Sequence, residues 1–153
     1  MPLVGIALGS NLGDRRSHLD SAVASLRAIL ADLRVSGVFE TEPVDVVGRQ
    51  GPFLNAAVAG AFEGTARELL AALLMVERQH GRKRPHAGAA RTLDLDLIFF
   101  GEERVEEPGL VVPHPRFRDR RFVLEPLAEV APDWRDPVTG LTVAELLSRL
   151  LES

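Results

Sequence analysis

Two aspartates separated by one residue stand inside an otherwise apolar run, Arg91-Thr-Leu-Asp94-Leu-Asp96-Leu-Ile-Phe-Phe100. The run reads as a strand, along which side chains alternate between faces. Asp94 and Asp96 then share one face while Leu93, Leu95 and Leu97 pack on the other. At a strand rise of about 3.3 Å per residue their Cα atoms stand about 7 Å apart. Two carboxylates so placed repel unless something positive lies between them. A hard divalent cation meets that need, because Mg²⁺ typically takes one or two carboxylates together with substrate phosphates. A solvated polar face fits the same pattern, and a D-x-D alone does not decide between the two.

The surrounding charges favour the cation. Of 18 basic residues 17 are Arg, and ten of the 18 fall between Arg78 and Arg121, a clustering that overall Arg preference does not explain. Arg presents a planar fork of donors suited to phosphate oxygens. Gly81-Arg82-Lys83-Arg84-Pro-His86-Ala-Gly88-Ala-Ala-Arg91 immediately precedes the aspartates. Its glycines and alanines make it a mobile loop whose bases can fold over a polyphosphate and exclude water. The bland alternative is a solvated basic loop. Glu77 continues the helical stripe Leu69, Leu70, Leu73, Val76. A carboxylate on a core-facing stripe needs a partner, either in the Asp/Arg cluster or in water at the helix end. His114 is held between Pro113 and Pro115, with Arg116, Arg118, Arg120 and Arg121 following. It reads as a second anion contact or as a structural histidine. Asn55 is the polar residue in the apolar run from Phe53 to Phe62 and shares a strand face with Phe53. It can read a heterocycle edge with donor and acceptor together, or serve as a satisfied core amide.

The elements that must position these residues follow from periodicity. Leu3 to Leu8 is an apolar, buried strand, and Gly9 to Asp14 is a turn-rich loop. Leu19, Val23, Leu26, Leu30 and Leu33 predict a helix from about Arg15 to Leu33. Val35, Val38, Phe39 and Thr41 suggest a second strand, and Glu42 to Pro52 a loop. Phe53 to Phe62 forms a third strand, and Thr65-Ala-Arg-Glu68 is a capping box opening a helix to about His80. Thr92 to Phe100 is the fourth strand. The β-α-β-β-α-β order is that of a ferredoxin-like split βαβ sandwich, α+β, with an antiparallel sheet and both helices on one face. Beyond it lie an extended Val112-Pro-His-Pro115, a short helix from Leu124 to Val130, a turn at Asp136–Gly140 and a capped last helix after Thr142. The 153 residues show no linker and read as one domain, 1–153, with a C-terminal helical extension.

Composition excludes several classes. With 46% hydrophobic and 26% charged residues the chain is ordinary globular material. It has no Cys, which removes disulfides, thiolate metal ligands and Cys nucleophiles. No apolar run approaches a membrane span, and the N-terminus lacks a basic signal region, so a cytoplasmic location is expected. A net charge of −4 speaks against general nucleic-acid binding. There is no P-loop, G-x-S-x-G, H-E-x-x-H or protein-kinase motif set. A palm-type two-metal nucleic-acid enzyme and a base-stacking RNA module use related folds. The first lacks a template-binding domain here, and against the second the chain has no Tyr and its Phe residues do not fall in an RNP pattern.

Taken in order, Ala7-Leu-Gly-Ser-Asn-Leu12, Phe39-Glu-Thr-Glu-Pro43, Phe53-Leu-Asn-Ala-Ala57, Glu77 with Gly81-Arg82-Lys-Arg84, Arg91-Thr-Leu-Asp-Leu-Asp-Leu97, and Val112-Pro-His114 with Arg120 and Phe122 resemble the 6-hydroxymethyl-7,8-dihydropterin pyrophosphokinase family. The resemblance spans residues 5 to about 127. It implies a ferredoxin-like core and an ATP-dependent diphosphotransferase of folate biosynthesis. Such an enzyme moves pyrophosphate from ATP to the pterin hydroxymethyl group and releases AMP. It implies two Mg²⁺ ions on Asp94 and Asp96, and Arg82 and Arg91 in catalysis. Glu77, Arg84, His114 and Arg120 would contact ATP. Thr41, Phe53, Asn55 and Phe122 would hold the pterin, with Phe53 and Phe122 sandwiching its ring. It implies small-molecule substrates and no nucleic acid, membrane or obligate protein partner. Two departures stand out. His86-Ala-Gly-Ala-Ala90 lacks the aromatic-Gly-Pro that many relatives carry there and is one residue shorter. Pro115 stands where many have Tyr.

Overall fold

The computed structural model describes residues 1–41, 52–80 and 92–152. The expected loops at Glu42–Pro52 (save Pro52) and Gly81–Ala90, and with the latter Arg82, Arg84 and Arg91, lie outside the described residues.

Strand β1 (Leu3–Ser10) is central, antiparallel to β4 (Phe53–Ala61) on one side and to β5 (Asp94–Phe100) on the other. Two short strands, β2 (Ala31–Val35) and β3 (Phe39–Thr41), pair in succession along the far side of β4. The sheet order is β2-β4-β1-β5. Helix α1 (Arg15–Ile29) starts at Asp14, whose side chain accepts the Ser17 amide at 3.1 Å. Helix α2 (Ala66–Gln79) starts at the expected capping box, with Thr65 and Glu68 exchanging hydrogen bonds.

The alternation of β1 and β5 sorts residues between two cores. Ile6, Leu8, Leu93, Leu95 and Leu97 join Leu19, Leu26, Leu69 and Leu73 beneath α1 and α2. Ala57, Ala59 and Phe99 face the opposite way, against Phe117, Val123, Leu127 and Trp134. That second core belongs to α3 (Arg121–Val130) and α4 (Val143–Glu152), the latter capped by Thr142 and Glu145. The sheet therefore carries helices on both faces. Phe99 stacks on Trp134 at 3.9 Å between ring centroids, and Gly5 makes room for it: a Cβ on Gly5 would lie 2.3 Å from the Phe99 ring.

Several boundaries differ from the periodicity reading. α1 ends at Ile29, and the chain turns at once into β2, so the expected second strand is two. Leu30 and Leu33 imitate helical spacing, but Leu30 is extended (ψ 143°) and Asp32 takes φ 53° where the β2–β4 register slips. β1 runs on through Gly9 and Ser10, which composition placed in a loop. β5 starts at Asp94, not Thr92, and α3 starts at Arg121. An unforeseen hairpin, β6 (Val105–Glu107) and β7 (Leu110–Val112), lies beside β5. Among the described residues no helix is long and apolar enough to cross a membrane.

Candidate active site

Register brings the candidate residues to one end of the sheet. Phe39 and Asn55 pair, Asn55 pairs with Gly9, and Gly9 pairs with Asp94. Cross-strand partners share a face, so Asn55 and Asp94 stand in one row with Gly9 between them. The neighbouring row adds Ala57, Ala7 and Asp96, and Thr41 pairs with Phe53 beyond Asn55. Thr41, Phe53, Asn55, Asp94 and Asp96 thus project from the α3/α4 face of the sheet.

Gly9 forms the floor of this row. A Cβ added to it would sit 3.5 Å from Asn55 Oδ1 and 3.6 Å from the Phe53 ring, inside the space those two groups border. Asn55 is buried, and its Nδ2 donates to Thr41 Oγ1 at 2.6 Å. That bond fixes the amide plane. Residue type alone did not single out Gly9, because a Gly before Ser-Asn reads as a turn.

Asp94 and Asp96 are both partly exposed, while Leu93, Leu95 and Leu97 are buried on the other side. Between the two aspartates the Leu95 amide points off the sheet edge and donates to Glu77 Oε2 at 2.7 Å. Glu77 is 2% exposed. The stripe residue therefore found a partner in the core: it ties α2 to the backbone of the aspartate strand. One turn further, the His80 carbonyl accepts from Thr92 Oγ1 at 2.6 Å, a second tie between the same elements.

His114 is fixed through its backbone and its ring. Its amide donates to the Ile98 carbonyl at 2.8 Å, which lays this segment along the edge of β5. Its Nδ1 accepts from the Arg116 amide at 3.2 Å, so the proton of the neutral ring belongs on Nε2. Burial and the Arg120 charge lower its pKa to about 4, Asp94 opposing and Arg116 adding to the shift. At neutral pH it is an uncharged donor. Arg120 stands just before α3, with its guanidinium over the Phe122 ring at 5.5 Å from the centroid. Phe122 lies in the first turn of α3, which packs on β4, the strand of Phe53 and Asn55.

A cleft of about 290 Å³ opens beside Asp96, lined by Leu70, Leu95, Leu97, Val111 and Pro115 with Asp96 and His114 at its polar side. Its walls come from α2, β5 and the β6–β7 hairpin. That hairpin left no signal in motif or periodicity, since its strands are three residues each.

A family model described as 7,8-dihydro-6-hydroxymethylpterin-pyrophosphokinase (HPPK) matches residues 5–132. The chain belongs to this family. It is 44% identical over 127 residues to the 2-amino-4-hydroxy-6-hydroxymethyldihydropteridine pyrophosphokinase of Bacillus subtilis, covering 82% of this chain and 75% of that one. The proteins of the same description from Synechocystis and Pseudomonas aeruginosa are 38% and 37% identical, each over 95% of this chain and over 74% and 90% of theirs. A Plasmodium falciparum HPPK-DHPS structure with pterin and p-hydroxybenzoate superposes with a TM-score of 0.75 at 15% identity, over 98% of this chain and 42% of that longer one, a likeness of fold. The chain is accordingly a pyrophosphokinase acting on small molecules. It transfers pyrophosphate from ATP, its co-substrate, to 6-hydroxymethyl-7,8-dihydropterin in folate biosynthesis.

Proposed function

We propose that the pyrophosphoryl transfer takes place over the row Asn55–Gly9–Asp94, with Asp94 and Asp96 holding two Mg²⁺ ions. The observation that carries this reading is the shared face of the two partly exposed carboxylates, of which Asp96 borders a cleft. The donor set suits a hard cation: both ligands are carboxylates, and the chain has no Cys. Among the described residues no three His, Cys, Asp or Glu gather at one point. Substrate phosphates would therefore complete the coordination, as Mg²⁺ sites commonly arrange. When bound, the ions neutralise phosphate charge and activate the attacking hydroxyl.

The chain's own residues supply binding and orientation. Phe53 and Phe122 take the two faces of the pterin ring, and Asn55, with its amide plane set by Thr41, reads the ring's edge. The apolar cleft suits the adenine of ATP, which directs the triphosphate toward Asp96. His114 Nε2–H and the Arg120 guanidinium face that phosphate path, and Asp96 is the acceptor for the hydroxyl proton. Glu77 serves the nucleotide site by holding the Leu95 amide. From the family pattern, Arg84 adds a nucleotide contact, and Arg82 and Arg91 stabilise charge on the bridging oxygen. Phosphoryl chemistry needs such positioning more than covalent catalysis.

The order β5-β1-β4-β2 supports reading the core as ferredoxin-like, and the shared sheet supports one domain, 1–153, with α3 and α4 as its C-terminal extension. We place this enzyme in the cytoplasm, with no nucleic acid, membrane or obligate protein partner. Titration with Mn²⁺, followed by electron paramagnetic resonance beside a non-hydrolysable ATP analogue, tests the metal reading. Two bound ions per chain, reduced in Asp96→Ala, are expected. Equal binding by wild type and Asp96→Ala contradicts it.

A further inference from the structure

We propose that Arg120 is a positioning residue for the pterin as well as a phosphate contact: its guanidinium holds the Phe122 ring that walls the pterin slot. This inference rests on the site reading above. The base of Arg120 is pinned from both sides. Its amide donates to the Phe117 carbonyl at 3.2 Å, and its carbonyl accepts the Val123 and Leu124 amides at 3.0 Å each. From that fixed root the guanidinium lies over the Phe122 ring, 5.5 Å from its centroid. The neighbouring arginines are engaged elsewhere, Arg118 with Asp136 and Arg121 with Glu125. Among the described residues Arg120 forms no ion pair with a carboxylate, so its charge is left for the ring and for a ligand anion.

After burial, the same guanidinium adds to the lowering of the His114 pKa, so one charge acts on both His114 and the Phe122 ring. A cation over an aromatic face restrains that ring. A restrained ring has less freedom to lose when a flat heterocycle stacks on it. Arg120 therefore favours pterin binding even when no phosphate is present, which a pure phosphate contact does not.

The test is a double-mutant cycle on pterin affinity, read from the pterin's own fluorescence. The proteins are wild type, Arg120→Gln, Phe122→Leu and the double variant, each first without nucleotide and then with a saturating non-hydrolysable ATP analogue. From the size of a cation–π contact, Arg120→Gln is expected to weaken pterin binding about three- to ten-fold without nucleotide. It should add no loss once Phe122 is Leu. Unchanged affinity in Arg120→Gln, or losses that multiply in the double variant, overturns the proposal. Should pterin bind too weakly without nucleotide, the cycle with the analogue decides on the same criterion of non-additivity. Full pterin affinity in Phe122→Leu would instead remove Phe122 from the slot and overturn the site reading, and with it this inference.

Discussion

Asn55 shows how one hydrogen bond orients a side chain at the scale of a residue. Its Nδ2 is committed to Thr41 Oγ1 at 2.6 Å, which leaves Oδ1 and the second N–H for a ligand. Thr41→Val removes the acceptor, frees the amide to flip and leaves a buried donor without its partner. A net hydrogen bond is worth about 1 kcal/mol, so KM for the pterin should rise about five-fold with a smaller effect on kcat. Steady-state kinetics at saturating ATP decide it. At Asp94 the loss is larger: Asp94→Asn keeps size and removes charge, and turnover should fall by about 10² or more. Its circular dichroism should stay unchanged, since Asp94 is partly exposed. Both aspartates were legible because strand alternation leaves them no other face. Gly9 was not, because a residue without a side chain shows its role only when the strands on either side are known. The Arg120–Phe122 contact was equally hidden, since spacing does not show which way a side chain two residues back will turn.

At the scale of elements, the ties between neighbours carry the stability. Arg118 donates to Asp136 through Nε at 2.6 Å and Nη2 at 2.9 Å, and Asp136 also accepts from Val138 and Thr139. Burial would raise the Asp136 carboxyl, but these hydrogen bonds and the Arg118 charge outweigh it and hold its pKa at about 2. The pair fastens the 3₁₀ turn Phe117–Asp119 to the turn before α4. Leaving Arg118 without its partner, as in Asp136→Leu, should cost about 3–5 kcal/mol in urea unfolding. Gly5→Ala should be similarly damaging, because the Phe99 ring occupies the space of the new methyl. Two histidines set an acid limit. Burial and His18, whose Nδ1 lies 2.8 Å away, lower the pKa of His80, and His114 lies at about 4. Both folded values fall below the unfolded one, so the unfolded chain takes up protons first. Stability is then fully present above about pH 6.5 and declines as pH falls from there toward 4. Urea midpoints at pH 7.5, 5.5 and 4.5 should show that decline, and His114→Gln should flatten part of it. The helices and their caps were readable from apolar spacing and the Thr-x-x-Glu signatures. The β2–β3 break was not, since Leu30 and Leu33 keep helical spacing across a backbone that has already become extended.

Over the whole molecule, the sheet is covered on one face by α1 and α2 and on the other by α3 and α4. The second cover rests on Ala57, Ala59 and Phe99, and the Asn55–Gly9–Asp94 row continues the same strands just beyond Ala57. A polar site thus shares strands with two apolar cores, which explains why short stretches such as Asp94–Phe100 alternate carboxylate and leucine before turning wholly apolar. The α1/α2 layer was legible from order and periodicity. The α3/α4 layer was legible as helices but not in its placement, which depends on Trp134 stacking on Phe99 and packing edge-on against Phe117 on that face of the sheet. Of the two departures from the family pattern, Pro115 lines the apolar cleft, and residues 86–90 lie outside the described residues. The most direct test is the nucleotide product formed from ATP and Mg²⁺, with and without 6-hydroxymethyl-7,8-dihydropterin, in wild type and Asp94→Ala. Release of AMP that requires the pterin and is lost in Asp94→Ala is the expected result. ADP in place of AMP, or AMP release undiminished in folded Asp94→Ala, would contradict pyrophosphoryl transfer at this aspartate pair.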